Sequence, residues 1–421
     1  MSAIANGRWH LAQWVVAALV MGVLPHIFSS GASITMMSLM GFAIIFALSF
    51  NMLLGQAGML SFGHAVYYGL GGFMTAHALN VVGAGKLPIP LPVLPLVGGL
   101  AGLSFAIIFG WVSTKRAGTA FSMISLGIGE LVAACSLILR GFFGGEGGIS
   151  TNRTATLRMF GLNFGPQIQV YYLIVAWCLV CVAAMYTFTR TPLGRMCNAV
   201  RDNPERAEFI GYSTQMVRFI TFCISGFFAG VAGGLAAIHY EIVTSSVVGA
   251  GPSGVVLLMA YIGGISFFIG PIVGAVLMTA LQMSLSDYTG AWLVYVGLMF
   301  IVVVMYAPWG LAGLLLMHQP LLAAGTLRRV LPTYALAVGP VLMLSVGAVL
   351  LIETSHHLLV KAAEGPVMRV LWIDYNATSP VAWIGIIVLL IVGALALRRI
   401  APRVSEAFHA AAQEAQCRRV A

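Results

Sequence analysis

The chain has 421 residues, of which 60% are hydrophobic and only 8% charged, with a mean hydropathy of +0.98. Soluble proteins average nearer half apolar and a quarter charged, so this composition excludes a soluble domain and indicates an integral membrane protein. A formal net charge of +9 would suit a nucleic-acid partner in a soluble chain, but membrane proteins collect basic residues in cytoplasmic loops, and nucleic-acid binding is set aside.

Apolar runs of bilayer-crossing length, about 17–25 residues, lie near 11–28, 34–54, 58–79, 91–112, 119–139, 170–189 and 218–238. Others lie near 252–266, 268–286, 290–306, 334–352 and 381–397. The pattern predicts an all-α polytopic membrane protein with about twelve transmembrane segments. The first run follows Arg8 in the order of a signal peptide. It is long, and no small-x-small cleavage site follows it, so 1–29 is expected to stay as a first span. The run 252–266 is short and glycine-interrupted, and a re-entrant segment competes there with a full crossing. A crossing is preferred because it keeps Lys115–Arg116, Arg328–Arg329 and Arg398–Arg399 on one side, with Arg8 and the arginines of 190–218. That side is cytoplasmic by the positive-inside rule, and both termini are expected there. The segments 140–169 and 353–380 fall outside, where arginines mix with Glu146, Glu353, Glu364 and Asp374.

Glycines number 49 and cluster inside the runs, as in Gly226-x-x-x-Gly230 and Gly233-Gly234. Lipid gives no hydrophobic reward for helix pairing, so these small residues mark helix contacts. The run G-x-x-S-F occurs at Gly58–Phe62 and again at Gly263–Phe267. Chance matching in a glycine-rich chain is preferred over an internal repeat. Cys178 and Cys181 form a C-x-x-C inside an apolar run and read as packing rather than a metal or redox site. His356–His357 is too little for a metal site, and no cofactor is expected.

Polar residues inside spans are costly and therefore informative. Glu130 is a lone acid in the middle of an early span. It is read either as a pathway-lining group or as a structural hydrogen bond between helices. Gln56, Ser61 and His64 sit in a glycine-interrupted stretch after Asn51, where a broken helix would offer backbone groups to a solute. A lone histidine in such surroundings is more often packed than liganding.

One polar stretch stands apart, Arg190 to Arg218. Asp202, Asn203 and Pro204 supply helix-start signals and Gly211 a stop, predicting a short helix over Asn203–Ile210. The stretch resembles the cytoplasmic coupling loop of bacterial ABC importer permeases. Its continuation, F-I-T-F-C-I-S-G-F-F-A-G-V-A-G-G-L-A-A, is similar to the LivM type of the branched-chain amino acid permease family. Leu53–Ala65, Leu126–Val132 with Phe143–Ile149, and Ile262–Ala275 carry the same resemblance, which covers roughly 30–315. Pro204-Glu205-Arg206 departs from the family's more usual acidic, aliphatic and small residues.

The resemblance implies a permease subunit in the bacterial inner membrane, with Gln56, Ser61, His64 and Glu130 toward the pathway. Arg201, Asp202, Asn203, Pro204, Glu205, Arg206, Phe209, Ile210 and Gly211 would couple it to ATPase. It also implies a LivH-type permease partner, two cytoplasmic ABC ATPase subunits and a periplasmic substrate-binding protein. The substrates would be branched-chain or other apolar amino acids, with urea or short-chain amides as the close alternative.

Absences agree. None of the lysines sits in the G-x-x-x-x-G-K-[ST] setting that cradles nucleotide phosphates, so ATP hydrolysis would belong to a separate protein. No H-E-x-x-H or Ser/His/Asp pattern points to an enzyme. A stand-alone secondary transporter would be expected to carry paired charges in its spans, and little besides Glu130 is there. Beyond Ala307-Pro308-Trp309-Gly310-Leu311 the resemblance stops. Residues 316–421 read as an extension of two further spans and an unremarkable Ala/Glu-rich tail.

Overall fold

The computed structural model describes residues 2–156, 163–361, 365–370 and 373–420, with side chains from 14 to 417 among them. Glu364 and 157–162, counted above in the outer segments, and the Arg8 side chain lie outside that set. The chain divides into two compact units: Met1–Ala280 with Pro308–Leu311, and Leu281–Ala307 with Ala312–Ala421.

The first unit opens with α1 (Ser2–Ile27) and α2 (Gly31–Asn51). Ser30 starts α2 by accepting the Ser33 N–H at 3.2 Å, one of the donors that a helix N-terminus leaves unpaired. α2 ends in a π-helical turn, Met52–Gln56, followed by non-helical chain to His64. The run expected as a span from 58 therefore becomes helical only at α3 (Ala65–Gly83). The reason is local: Gly58 has φ +67, which other residues rarely adopt, and the helix cannot pass through it. α4 (Leu94–Ser113), α5 (Thr119–Ile138) and the short α6 (Arg140–Phe143) follow. Next come β1 (Ile149–Ser150), α7 (Gln167–Arg190), α8 (Pro192–Asp202), α9 (Pro204–Phe209), α10 (Thr214–Tyr240) and β2 (Ile242–Val243).

Glycine decides how these helices meet. A Cβ on Gly230 of α10 would strike Gly98 O of α4, and one on Gly71 of α3 would lie 2.5 Å from Gly230 Cα. Backbones thus touch backbones across α3, α4 and α10, as small residues permit in a membrane. The largest buried side chains, among them Phe50, Phe73, Phe121 and Phe222, fill the space around them.

α11 (Ala250–Gly263) and α12 (Gly270–Ser286) are short apolar helices separated by a break. Gly263 faces Gly274 N at 2.9 Å and Gly270 faces Gly263 O at 3.1 Å, measured from an added Cβ. The helices therefore fold back on each other as an antiparallel hairpin. Such a pair returns the chain to the side it left, so the alternation of later elements holds whether or not the pair crosses completely.

The helix ends of this unit gather at two places. At one, β1 pairs antiparallel with β2, Ile149 opposite Val243. Arg153 donates to His239 O at 3.2 Å there and to Phe164 O at 2.9 Å, while Glu241 closes α10 with φ +55. At the other, Arg201 of α8 donates to Gly55 O beside the π-helical turn.

In the second unit, α13 (Trp292–Tyr306) and α14 (Gly310–Ala324) meet at 47°. α14 was not expected from the sequence. α15 (Leu327–Val360) and α16 (Pro380–Val420) bracket the β3–β4 hairpin (Val367–Val370, Ile373–Asn376). The Ala/Glu-rich tail is helical, and part of it is packed. Ala411 and Phe408 of α16 lie against Leu321 and Val330, and Arg329 pairs with Glu414 at 2.5 Å.

By length and composition, seven described helices can cross a membrane, or up to eight if the bent pair counts as one span. α3 is outside that set because His77, Asn80 and its glycines dilute its apolar character. The architecture is an all-α polytopic membrane protein.

Candidate functional site

The polar segment between α7 and α10 consists of two helices where the sequence announced one. α8 is the missed helix. Thr191 caps it by accepting the Gly194 N–H at 3.2 Å, and Pro192 occupies its first turn. Its buried face is Gly194, Cys197 and Val200, with Cys197 Sγ 2.9 Å from Thr221 Oγ1 of α10. Those three positions at helical spacing were the available signal, hidden by the flanking arginines. Burial raises the Cys197 thiol above its ordinary value.

α9 follows the expected signals. Asn203 accepts the Arg206 N–H at 2.9 Å and Pro204 opens the helix. At the far end Gly211 N–H donates to Glu208 O at 2.9 Å and Tyr212 N–H to Ala207 O at 3.1 Å. With Gly211 at φ +89, this is the left-handed helix stop that glycine favours. Glu208 also accepts the Thr214 hydroxyl at 2.7 Å, tying α9 to the start of α10. Asp202, Glu205 and Arg206 are exposed, and Arg201 pairs with Asp202 at 3.0 Å. Phe209 is 92% exposed and Ile210 65%. Two large apolar side chains thus project at the tip of a polar turn.

Arg201, its side chain 38% exposed, also reaches inward. Its Nη1 donates to Gly55 O, and a Cβ on Gly58 would lie 2.8 Å from its Cγ. Around it is the broken stretch 51–64. Ser61 and His64 are fully buried and Gln56 partly so. His64 Nε2 lies 2.9 Å from Ser49 Oγ, and its ring stacks on Phe46 at 5.5 Å. Asn51 Oδ1, Gln56 Oε1, Ser61 Oγ and His64 Nδ1 are buried and have no hydrogen-bond partner among the described residues. α5 clasps the same stretch: Ser125 Oγ accepts the Phe62 N–H at 3.1 Å, and the Ser122 hydroxyl donates to Leu60 O at 2.8 Å.

Glu130 lies on the opposite face of α5. Phe121, Ser122, Ser125, Gly129, Val132 and Ser136 form its buried stripe. Glu130 falls on the exposed stripe with Met123 and Leu131, and nothing lies within 4 Å of a Cβ on Gly127. The structure therefore separates Glu130 from Gln56, Ser61 and His64, which the sequence reading had grouped together.

In the second unit a polar cavity of about 470 Å³ is lined by residues including Asp287, Glu353, His356, His357 and Lys361. Among the described residues no group of three or more His, Cys, Asp or Glu could hold a metal ion.

A family model described as the permease component of branched-chain amino acid transport systems matches residues 32–307. The chain belongs to this family. The LivM permease protein of Escherichia coli (strain K12) is 26% identical over 319 residues, covering 71% of this chain and 74% of LivM. The BraD permease protein of Pseudomonas aeruginosa is 22% identical over 282 residues, 64% of this chain and 91% of BraD. A probable LivH permease protein of Methanocaldococcus jannaschii is 22% identical over 292 residues, 64% and 88% of the two chains. No solved structure gives a significant match. The chain is thus a LivM-type permease subunit of an ABC importer, a multi-pass transport protein and not an enzyme.

Proposed function

We propose that this subunit forms one wall of an inner-membrane pathway for branched-chain or other apolar amino acids, driven by separate ATPases docking on α9. The observation that carries the reading is the uncovered pair Phe209–Ile210, 92% and 65% exposed, on a capped turn between two apolar helices. Lipid cannot cover a tip rimmed by Asp202, Glu205 and Arg206, so an apolar groove on a soluble partner is the fitting occupant. Phe209 and Ile210 fill its centre, Glu205 and Arg206 make polar contacts at the rim, and Asn203, Pro204 and Gly211 hold the turn.

Glu130 supports the second half of the reading. An ionised carboxylate facing hydrocarbon costs several kcal/mol, of order 3 on insertion scales. The outer face of α5 therefore meets a LivH-type partner subunit, with water between them. Ser61, His64 and Gln56 sit behind that face and hold the broken stretch rather than touch the solute directly. A periplasmic substrate-binding protein delivers the solute. Both termini are cytoplasmic, with about twelve crossings if α11 and α12 each cross and α13–α14 is one bent span. Residues 30–315 carry transport, and 316–421 form an appended helical pair.

The test is the reconstituted complex carrying Phe209→Asp or Gly211→Val. Both variants should insert and pair with the permease partner yet lose ATPase recruitment. Glu130→Leu should retain recruitment and lose uptake. Full uptake with Phe209→Asp would remove α9 from the mechanism.

A further inference from the structure

Resting on the reading of 190–218 as the coupling segment, we infer that Arg201 is a strut that transmits its movement to both helix breaks of the transport unit. Arg201 belongs to the polar segment by sequence but reaches away from its exposed tip. Its guanidinium caps the carbonyl end of α2 by donating to Gly55 O. That end carries the negative pole of the helix and carbonyls without intrahelical partners, so a cation is favoured there.

Gly55 is the point where the two breaks touch. A Cβ on it would lie 2.5 Å from Ile265 O, in the turn between α11 and α12, and 2.9 Å from Asn51 Cγ. The turn is held from its far side as well. A Cβ on Gly264, at φ +110, would lie 3.3 Å from Gly310 Cα, and one on Gly310 would lie 2.7 Å from Gly263 C. Both copies of G-x-x-S-F fall in these breaks, 58–62 in one and 263–267 in the other. Chance matching gives no reason for that coincidence. Through these two touching glycine-containing turns, a movement at Gly55 reaches α2 and α3 on one side and α11 and α12 on the other.

The first break also gathers buried polar atoms that have no hydrogen-bond partner among the described residues. They are Asn51 Oδ1, Gln56 Oε1, Ser61 Oγ and His64 Nδ1, although buried polar atoms are nearly always paired. Gly55 O, inside this stretch, is the handle by which Arg201 acts on it. Asp202 Oδ1, 3.0 Å from Arg201 Nη2 and Nε, orients the same guanidinium that donates to Gly55 O. α8 supplies the lever, since Cys197, about one turn before Arg201, and Val200, next to it, pack it into the unit.

The test uses the complete importer in liposomes with its binding protein and leucine, carrying Arg201→Ala or Arg201→Lys. Three quantities are read: ATPase content after purification, basal hydrolysis, and the stimulation of hydrolysis by leucine-loaded binding protein. Arg201→Ala should keep the first two and lose stimulation by about tenfold, in the range of a coupling between two sites. Arg201→Lys keeps the charge but not the planar fork and should recover part of the stimulation. Stimulation within about twofold of wild type in Arg201→Ala would overturn the strut, on the scale that couplings are measured. Loss of ATPase from that complex with Arg201→Lys normal in all three readings would overturn it too, making Arg201 a docking contact. If Arg201→Ala does not assemble, Arg201→Lys decides, with reduced stimulation at full ATPase content supporting the strut. A wild-type complex without stimulation would instead sink the functional reading beneath it.

Discussion

α2 with α10 and α15 with α16 are two pairs of strongly apolar helices whose surroundings differ. In the most apolar 18-residue windows of Gly31–Gln56 and Thr214–Tyr240, 83% and 78% of residues are buried, at hydropathies of 2.0 and 1.8. The corresponding windows of Leu327–Val360 and Pro380–Cys417 are more apolar, 2.5 and 2.7, yet only 6% and 11% buried. Hydropathy alone would rank them the other way. A helix that meets lipid keeps bulky aliphatic side chains all round, whereas one inside a bundle gives up bulk for contact. α10 carries Gly226, Gly230, Gly233 and Gly234 with buried Ser225 and Thr221. α16 shows Val381, Ile384, Ile387, Val388 and Ile391 on its exposed surface.

The largest effect expected from this contrast is on the glycine-packed side. Gly230→Val would drive its Cβ into Gly98 O, which is backbone and cannot rotate away. Overpacking of a core costs about 1–3 kcal/mol where side chains yield, and occasionally more. Here the expectation is failure to accumulate as folded protein, read from detergent-purified yield and thermal melting. A normal melt would mean that α4 and α10 are not in backbone contact. Gly127→Val on the exposed face of α5, where a Cβ meets nothing within 4 Å, is the matched control and should melt as wild type.

The same contrast shows what the sequence could and could not reveal. Local chemistry was legible: Asn203, Pro204 and Gly211 placed α9, and each was found in its cap or stop. Apolar run length gave most of the spans. It carried a span across 58–64, although the glycines of that stretch already marked a place where a helix could break. α14 was masked by Pro308-Trp309-Gly310, which read as the end of a core and proved to be a 47° bend. The reach of Arg201 to Gly55 spans 146 positions, and the pairing is invisible to any local pattern. The direction of Glu130 was set by which stripe of α5 is buried, a packing outcome that residue types alone left open.

A middle-sized effect belongs to the extension. Gly347 of α15 faces Leu390 and Gly393 of α16 faces Leu344, each with 3.0 Å to a side-chain carbon from an added Cβ. These leucines can shift, so Gly347→Leu with Gly393→Leu should cost about 1–3 kcal/mol, confined to this pair. Limited proteolysis is the measurement. Cutting should rise in α15 and α16 while a fragment containing 32–307 persists. Simultaneous loss of that fragment would show that the extension supports the transport unit, against the contrast drawn here.

The smallest effect needs no change to the fold, because the cysteines already sample both environments. Cys178, Cys181, Cys197 and Cys223 are buried, Cys135 is intermediate and Cys417 is exposed. Only a thiolate reacts, so both access and thiol acidity matter. For Cys197 the two act together: burial raises its thiol above the ordinary value, and α8 must lift from α10 to admit a reagent. A maleimide at pH 7 should therefore label Cys417 at once and Cys135 slowly. Cys197 should be at least about a hundredfold slower than Cys417, its rate set by local opening of α8. Docked ATPase subunits should slow Cys197 further and leave Cys417 unchanged if α8 moves with the coupling segment. Equal rates for Cys197 and Cys417 in the purified subunit would mean that α8 does not hold the packed position from which Arg201 reaches Gly55.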